Sequence, residues 1–218
     1  MITTIIFDID GVLLDSTKKL IEFNKKIAKA LGLRIPKDRE ISNLWGVSLE
    51  DFVKILWPGT DIEEYRRKTK KMFDEGKVTF SPVKDAISTL KKLNDSGFKL
   101  SIVTGRSKKY TIKHMEEAGF DMNMFDVIIS SEDTKNHKPN PDPILYAFNF
   151  LRVKPENTIY VGDSIFDYKS AKNAKVNFVA VLTGDVSEKE FRENGVKNIV
   201  DSVAELPKFL KIQPKLSD

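Results

Sequence analysis

The sequence predicts an α/β fold: an open parallel sheet with helices on both faces, and an all-helical segment inserted after the first strand. Three observations predict it. Short apolar runs alternate with amphipathic ones through the second half of the chain. Those apolar runs lack polar alternation, the pattern of strands covered on both faces. The stretch from Ser16 to Phe80 breaks the alternation and contains no convincing strand.

The elements follow in order. Ile2 to Ile9 is a short apolar strand carrying Asp8 at its end, with Asp10 and Gly11 just beyond. Leu20, Phe23, Ile27 and Leu31 form a helical stripe that stops at Gly32. Ile41 to Trp45 and Leu49 to Trp57 follow, the second ended by Pro58-Gly59, and Asp61 to Phe73 is a highly charged helix. Placed directly after the first strand, this insertion would lie over the carboxyl edge of the sheet as a lid. The expected division is a core of residues 1–15 and 81–218 and a helical cap of residues 16–80. The core resumes with a helix from Pro82 to Leu93, whose Val83, Ala86, Ile87, Leu90 and Leu93 recur at spacings of three and four. Strands are predicted over Lys99–Thr104, Phe125–Ser130, Thr158–Gly162 and Asn177–Leu182, with Asn198–Val200 as an edge strand. Helices Tyr110–Ala118, Pro143–Leu151 and Asp167–Ala174 lie between them. Strand–helix alternation of this kind builds an open parallel sheet, and such sheets bind ligands beyond the carboxyl ends of their strands.

Composition narrows the chemistry. The chain has 218 residues, enough for one large domain or one domain with an insertion. It has no cysteine, which removes disulfides, thiolate metal sites and a cysteine nucleophile. Its two histidines, His114 and His137, argue against a histidine metal site or a Ser-His-Asp triad. Any hydrolytic chemistry therefore falls to carboxylates. The net charge of +4 comes from 36 basic and 32 acidic residues, with the lysines spread over helical segments. That distribution favours solvated helix faces over nucleic-acid binding. No apolar run approaches the roughly 18 residues of a membrane span, and the N-terminus does not read as a leader, so a cytoplasmic location is expected.

Four motifs stand at strand ends: Asp8-Ile9-Asp10-Gly11-Val12-Leu13-Leu14-Asp15-Ser16, Val103-Thr104-Gly105-Arg106, Lys138-Pro139-Asn140-Pro141, and Val161-Gly162-Asp163-Ser164-Ile165-Phe166-Asp167. Phosphoryl transfer needs a nucleophile, compensation of phosphate charge, and a proton for the leaving oxygen. A carboxylate such as Asp8 can be the nucleophile. Asp8 and Asp163 are hard oxygen ligands suited to Mg²⁺, and Asp167 is placed to hold a metal-bound water or buttress the site. Lys138 adds positive charge, and Thr104 and Gly105 can hydrogen-bond phosphate oxygens. Asp10 can serve as general acid and then base, and Gly11 permits a sharp turn where side chains would crowd.

This motif set resembles the haloacid dehalogenase-like superfamily, over roughly residues 1–205. The opening Asp-Gly-Val-x-x-Asp-Ser is similar to the phosphoglycolate phosphatase and β-phosphoglucomutase-like group. The resemblance implies a Rossmann-like core with a helical cap, a nucleophilic Asp8, and Asp10 as acid/base. It also implies Mg²⁺ on the Asp8 carboxylate, the Asp10 main-chain carbonyl and Asp163, with Asp167 supporting, and phosphate on Thr104, Gly105 and Lys138. The implied substrate is a small phosphorylated metabolite, phosphoglycolate-like. A phosphomutase is the alternative; a signalling receiver domain or a degenerate phosphate-binding protein are the non-enzymatic ones. An acid at position 10 separates the chain from the dehalogenase branch. Ser81-Pro82 and Ala174-Lys175 stand where the family often has Pro-Gly and Ala-Gly. Trp45, Gly46 and Ser48, at a break between cap helices, and Arg106 are the specificity candidates. Arg106 is read evenly as a contact to a substrate carboxylate or as a surface residue. Ser16 is expected to cap the first cap helix, His114 to be structural and His137 to lie at the surface. Oligomeric state is unreadable from the sequence.

Overall fold

A computed structural model describes residues 1–45, 47–76 and 78–212. Its main sheet has six parallel strands: β1 (Thr4–Phe7), β4 (Lys99–Val103), β5 (Val127–Ile129), β6 (Thr158–Gly162), β7 (Asn177–Val181) and β8 (Asn198–Val200). They lie in the order β5-β4-β1-β6-β7-β8. The chain moves outward from β1 through β4 to β5, then crosses to the other side, so the carboxyl end of β1 is the topological switch point between β4 and β6.

Side-chain alternation along the strands divides the core into two layers. Ile5 and Phe7 join Leu100, Ile102, Ile159 and Val161 on one face, where helix α5 (Ala86–Asp95) contributes Leu90 and Leu93. Ile6 turns to the other face with Val103, Tyr160 and Phe178. There α7 (Asp142–Leu151), α8 (Ile165–Asn173) and α9 (Glu188–Glu193) cover them with Ile144, Ala171 and Phe191. Helix α6 (Lys108–Glu117) and the short α10 (Leu206–Phe209) complete the core.

Residues between Ser16 and Phe80 fold into α1 (Thr17–Ala30), α2 (Asp38–Ser42), α3 (Leu49–Leu56) and α4 (Ile62–Asp74). These helices hold an apolar cluster of their own, with Ile27, Ile41, Phe52, Val53, Trp57 and Tyr65 at its centre. The Tyr65 hydroxyl donates to Asn24 Oδ1 at 2.6 Å, tying α4 to α1 inside that cluster. The two strands of chain that enter and leave this unit pair antiparallel, β2 (Leu14–Asp15) against β3 (Ser81–Pro82), in the register Leu14↔Pro82 and Asp15↔Ser81.

Several boundaries differ from those predicted. The helix expected from Pro82 begins at Ala86, because Pro82 is held extended in the β2–β3 ladder. Helix α2 starts at Asp38 rather than Ile41, since the Glu40 carboxylate reaches back to the Lys37 N–H at 2.8 Å and closes the first turn. Ser16 sits at the N-cap of α1 but makes no capping bond; its hydroxyl is drawn to Asp10. Lys175, at the position where the resemblance leads to an expected glycine, has φ +58°, a left-handed conformation that glycine adopts without steric cost.

Candidate active site

The strand ends bring the four motifs to one place. Asp8 follows β1 directly, and its N–H donates to the Val161 carbonyl at 2.9 Å, which fixes it against β6. After it, the N–H groups of Leu13 and Leu14 both return to the Ile9 carbonyl, and Gly11 takes φ +69° in this tight loop. Thr104 follows β4, its N–H donating to Ile129 at 2.9 Å. Asp163 follows β6. Asp167 is locked in the first turn of α8 by a reciprocal cap: its N–H donates to Ser164 Oγ at 3.1 Å, while Ser164 N–H and Oγ donate to Asp167 Oδ2 at 3.1 and 2.6 Å.

One lysine stands between the carboxylates. Lys138 Nζ, 3% exposed as a residue, donates to Asp8 Oδ1 at 2.9 Å and to Asp167 Oδ1 at 2.7 Å. Tyr160 adds a hydroxyl donor to Asp167 Oδ1 at 2.9 Å. Asp167 is thereby saturated. Asp163 is not: it is buried, and no described residue donates a hydrogen bond to its carboxylate. Burial, with the Asp167 and Asp8 charges, pushes Asp163 well above the usual carboxylate range. Asp8 rises to about 7, chiefly through burial, with Lys138 opposing and Asp167 and Asp10 adding to the rise.

This donor set fits a hard divalent cation. One carboxylate oxygen from each of Asp8, Asp163 and Asp167 lies within 4.8 Å of the others, all three buried. Buried charge of that density needs a counter-charge beyond one ammonium. Two glycines give the Asp163 carboxylate its space. A Cβ on Gly11 would fall 2.1 Å from Asp163 Oδ2, and one on Gly184 would fall 2.0 Å from the same atom.

Asp10 has different company. Arg106 Nε donates to its Oδ2 at 2.7 Å, Arg106 Nη2 and Ser16 Oγ donate to Oδ1, and the guanidinium lies 4.6 Å from the centre of the Phe80 ring. Burial works to raise Asp10, but the Arg106 charge and these hydrogen bonds hold it below the usual range. Arg106 Nη1 meets His114 Nδ1 at 2.7 Å. Burial, then the Arg106 and Lys113 charges, lowers His114 to about 3, with Asp10 opposing. The ring is therefore neutral and accepts at Nδ1, and its Nε2 has no partner among the described residues. Arg106, its side chain 11% exposed, is thus paired with Asp10 rather than free at the surface.

Above this floor lies a cavity of about 570 Å³ between the core and helices α1, α3 and α4. Asp8, Asp10, Thr104, Gly105, Arg106 and Lys138 line its core side, whereas Asp163 and Asp167 do not reach the wall. Trp45 lines the opposite side. Ser48 does not line the cavity; its hydroxyl is spent at the start of α3, accepting from Asp51 N–H at 3.1 Å and donating to Asp51 Oδ2 at 3.0 Å. Gly46 lies outside the described residues. His137, expected at the surface, is half-buried on the cavity wall.

Sequence reasoning missed Gly184, Thr183 and Tyr160. Thr183 Oγ1 donates to the Gly11 carbonyl and Gly184 packs on Asp163, so the segment after β7 closes the loop after β1. The strand-end rule pointed there, at the end of Asn177–Leu182. Tyr160 was signalled by a hydroxyl in the middle of a buried apolar strand, which requires a partner.

The family model for haloacid dehalogenase-like hydrolases matches residues 5–181. The chain belongs to that family. Among relatives of this haloacid dehalogenase-like hydrolase, pyrophosphatase PpaX of Halalkalibacterium halodurans is 33% identical over 184 residues, 83% of each chain. Phosphoglycolate phosphatase of Aquifex aeolicus is 28% identical over 183 residues, 84% of this chain and 85% of its own. The fold is shared with a hydrolase from Pseudomonas syringae, with a TM-score of 0.85 at 22% identity, covering 97% of this chain and all of that one. No helix among the described residues is long and apolar enough to cross a membrane.

Proposed function

We propose that this hydrolase is a Mg²⁺-dependent phosphatase that cleaves small-molecule phosphate monoesters with Asp8 as nucleophile. The observation that carries the reading is Asp8 itself: a buried carboxylate at the switch point, held by Lys138, next to an unsatisfied Asp163 and open to the cavity. The names of the two relatives, a pyrophosphatase and a phosphoglycolate phosphatase, support phosphoryl hydrolysis.

The Asp8 carboxylate, the Asp10 main-chain carbonyl and Asp163 would hold Mg²⁺, supported by Asp167, and the ion would offset phosphate charge as the carboxylate approaches. Lys138 orients Asp8 and supplies positive charge beside it. Thr104 and Gly105 bind phosphate oxygens on the core side of the cavity. Asp8 attacks phosphorus, the ester P–O bond breaks, and Asp10 delivers a proton to the departing alkoxide. Asp10, now a carboxylate, then takes a proton from the water that attacks the aspartyl phosphate, which releases phosphate and restores Asp8.

The contacts of Asp10 bear on this cycle. With Arg106 and Ser16 donating to it, Asp10 is held ionised, the form needed in the second half-reaction. Delivering a proton in the first requires the guanidinium to draw back. Residues 16–80 act as the lid whose closure over the cavity would exclude water from that step.

The test is phosphate release from p-nitrophenyl phosphate and a panel of metabolite phosphates, with Mg²⁺ or with EDTA. Wild type should release phosphate only with the metal, and Asp8→Asn should lose at least about a thousandfold in rate while remaining folded. Near-native turnover by Asp8→Asn would overturn the nucleophile assignment. Isomerised sugar phosphate in place of free phosphate would move the reading to a phosphomutase.

A further inference from the structure

A tyrosine stands where packing alone asks only for a phenylalanine. Tyr160, in the middle of β6, is fully buried on the face covered by α7 and α8. Ile6, Val103 and Ile144 share its apolar layer, and the Phe178 ring lies 6.2 Å from its own. Taking a hydroxyl out of water into such a layer is unfavourable unless it is hydrogen-bonded. The nearer acceptor is Asp167 Oδ1 at 2.9 Å; the Val103 carbonyl lies at 3.4 Å.

That oxygen also receives Lys138 Nζ at 2.7 Å, while the same ammonium gives a second N–H to Asp8 Oδ1 at 2.9 Å. Tyr160 and Lys138 thus share an acceptor, and Asp8 and Asp167 share a donor. The other Asp167 oxygen accepts from the Ser164 N–H and hydroxyl, which orients the carboxylate. Helix α8 also holds the backbone from which Lys138 projects. Ser170 Oγ donates to the Asn140 carbonyl at 2.8 Å, and Asn173 Nδ2 donates to the Pro139 carbonyl at 3.2 Å. Where the ammonium settles therefore depends on how strongly Asp167 Oδ1 claims it. A hydroxyl donated to the same oxygen takes up part of its accepting capacity and weakens that claim. Without it, Lys138 would be the one donor to Oδ1 among the described residues and would be drawn toward Asp167, away from Asp8.

We propose that Tyr160 is a positioning residue of the phosphatase: its hydroxyl, on Asp167 Oδ1, keeps the Lys138 ammonium shared with Asp8, where the remaining N–H serves the phosphate in transfer. The proposal rests on the phosphatase reading and adds to it a residue that does not line the cavity. Tyr160 acts through Asp167 and Lys138, and its contribution is to the placement of charge beside the nucleophile.

The experiment compares wild type, Tyr160→Phe and Thr158→Val. Tyr160→Phe removes one oxygen and keeps the ring. Thr158→Val removes a buried hydroxyl at the start of the same strand, one that donates to the Lys154 carbonyl at 3.0 Å and is remote from Lys138. The measurements are kcat/KM on p-nitrophenyl phosphate, the Mg²⁺ concentration for half-maximal rate, inhibition by orthovanadate as a mimic of the phosphoryl group in transfer, and urea unfolding. Tyr160→Phe should lower kcat/KM roughly three- to tenfold, about the effect of one hydrogen bond, and weaken orthovanadate inhibition by a similar factor. Its Mg²⁺ requirement should stay within about twofold of wild type, since the metal-holding groups are not displaced. Thr158→Val should lower the urea midpoint and leave rate and inhibition unchanged. Wild-type rate and inhibition in Tyr160→Phe would overturn the proposal and leave the phosphatase reading standing. A rate loss matched by a raised Mg²⁺ requirement would overturn it in favour of action on the metal. An equal rate loss in Thr158→Val would reduce Tyr160 to a support of the strand. No release from any ester by folded wild type would overturn the phosphatase reading itself, and this role with it.

Discussion

Substituting Gly184 by alanine isolates the aim of one carboxylate from every other property of the site. The added Cβ would sit 2.0 Å from Asp163 Oδ2 and 2.7 Å from both Asp163 Cβ and Cγ. Ordinary carbon contacts lie near 3.5–4.0 Å, so the Asp163 side chain must retreat by more than about 1 Å. On its other side the same oxygen lies against the Gly11 backbone, close enough that a Cβ added there would fall 2.1 Å from it. A displacement of about 1 Å in a positioning group costs on the order of a hundredfold in rate, and overpacking costs about 1–3 kcal/mol in stability. The assay is kcat/KM as a function of Mg²⁺ concentration, with urea unfolding in parallel. Gly184→Ala should lose about a hundredfold in kcat/KM and need more Mg²⁺ for half-maximal rate. Gly32→Ala is the control: φ is +66° with nothing within 4 Å of the added Cβ, so it should cost about 1–2 kcal/mol and leave turnover unchanged. A folded Gly184→Ala with wild-type rate and metal dependence would refute the view that Asp163 is held by contact.

Two further outcomes are expected. Lys138→Met would leave Asp8 and Asp167 buried without their shared cation and should cost about 3–5 kcal/mol in urea unfolding, because breaking a buried pair strands the remaining charges; an unchanged midpoint would show that Lys138 does not balance them. His114, at about 3 in the folded state against an ordinary 6.5, should tie stability to pH. The unfolded chain takes up a proton below the ordinary value and the folded chain does not, so the contribution is full above it and is lost as pH falls toward 3. Between pH 7 and 5 the loss from this one group is roughly 2 kcal/mol. His114→Gln should remove that component of the pH slope in urea unfolding, and an unaltered slope would count against it.

The sheet and the gathering of Asp8 and Asp163 at its carboxyl edge were legible because each depends on local pattern. Runs such as Thr158–Gly162 are apolar throughout, and a parallel strand covered on both faces has no other way to read. Asp8 and Asp163 stood at strand ends, where a parallel sheet exposes its polar groups, and Lys138 lay in the loop that follows β5. What could not be read was pairing at long range. Whether Arg106 meets substrate, solvent or Asp10 depends on how the loop after β4 lies against the loop after β1, residues 96 positions apart in sequence. Ser16 carries the residue type of a helix cap and occupies the cap position, yet the nearby Asp10 carboxylate is the stronger acceptor and takes its hydroxyl. The role of Gly184 depends on a contact 21 residues back along the chain, with Asp163, that only folding creates.

The β2–β3 ladder has a bearing on how such a protein changes over time. Because Leu14 and Pro82 are paired, the two ends of the helical unit leave the core side by side. A segment whose ends are already adjacent can be lengthened, shortened or exchanged at little cost in chain entropy, and without moving the sheet. The helical unit keeps its own apolar cluster, while Leu20, Trp45 and Phe73 also pack against the core. Insertions and deletions within the helical unit can therefore accumulate while the sheet that positions Asp8 stays where it is.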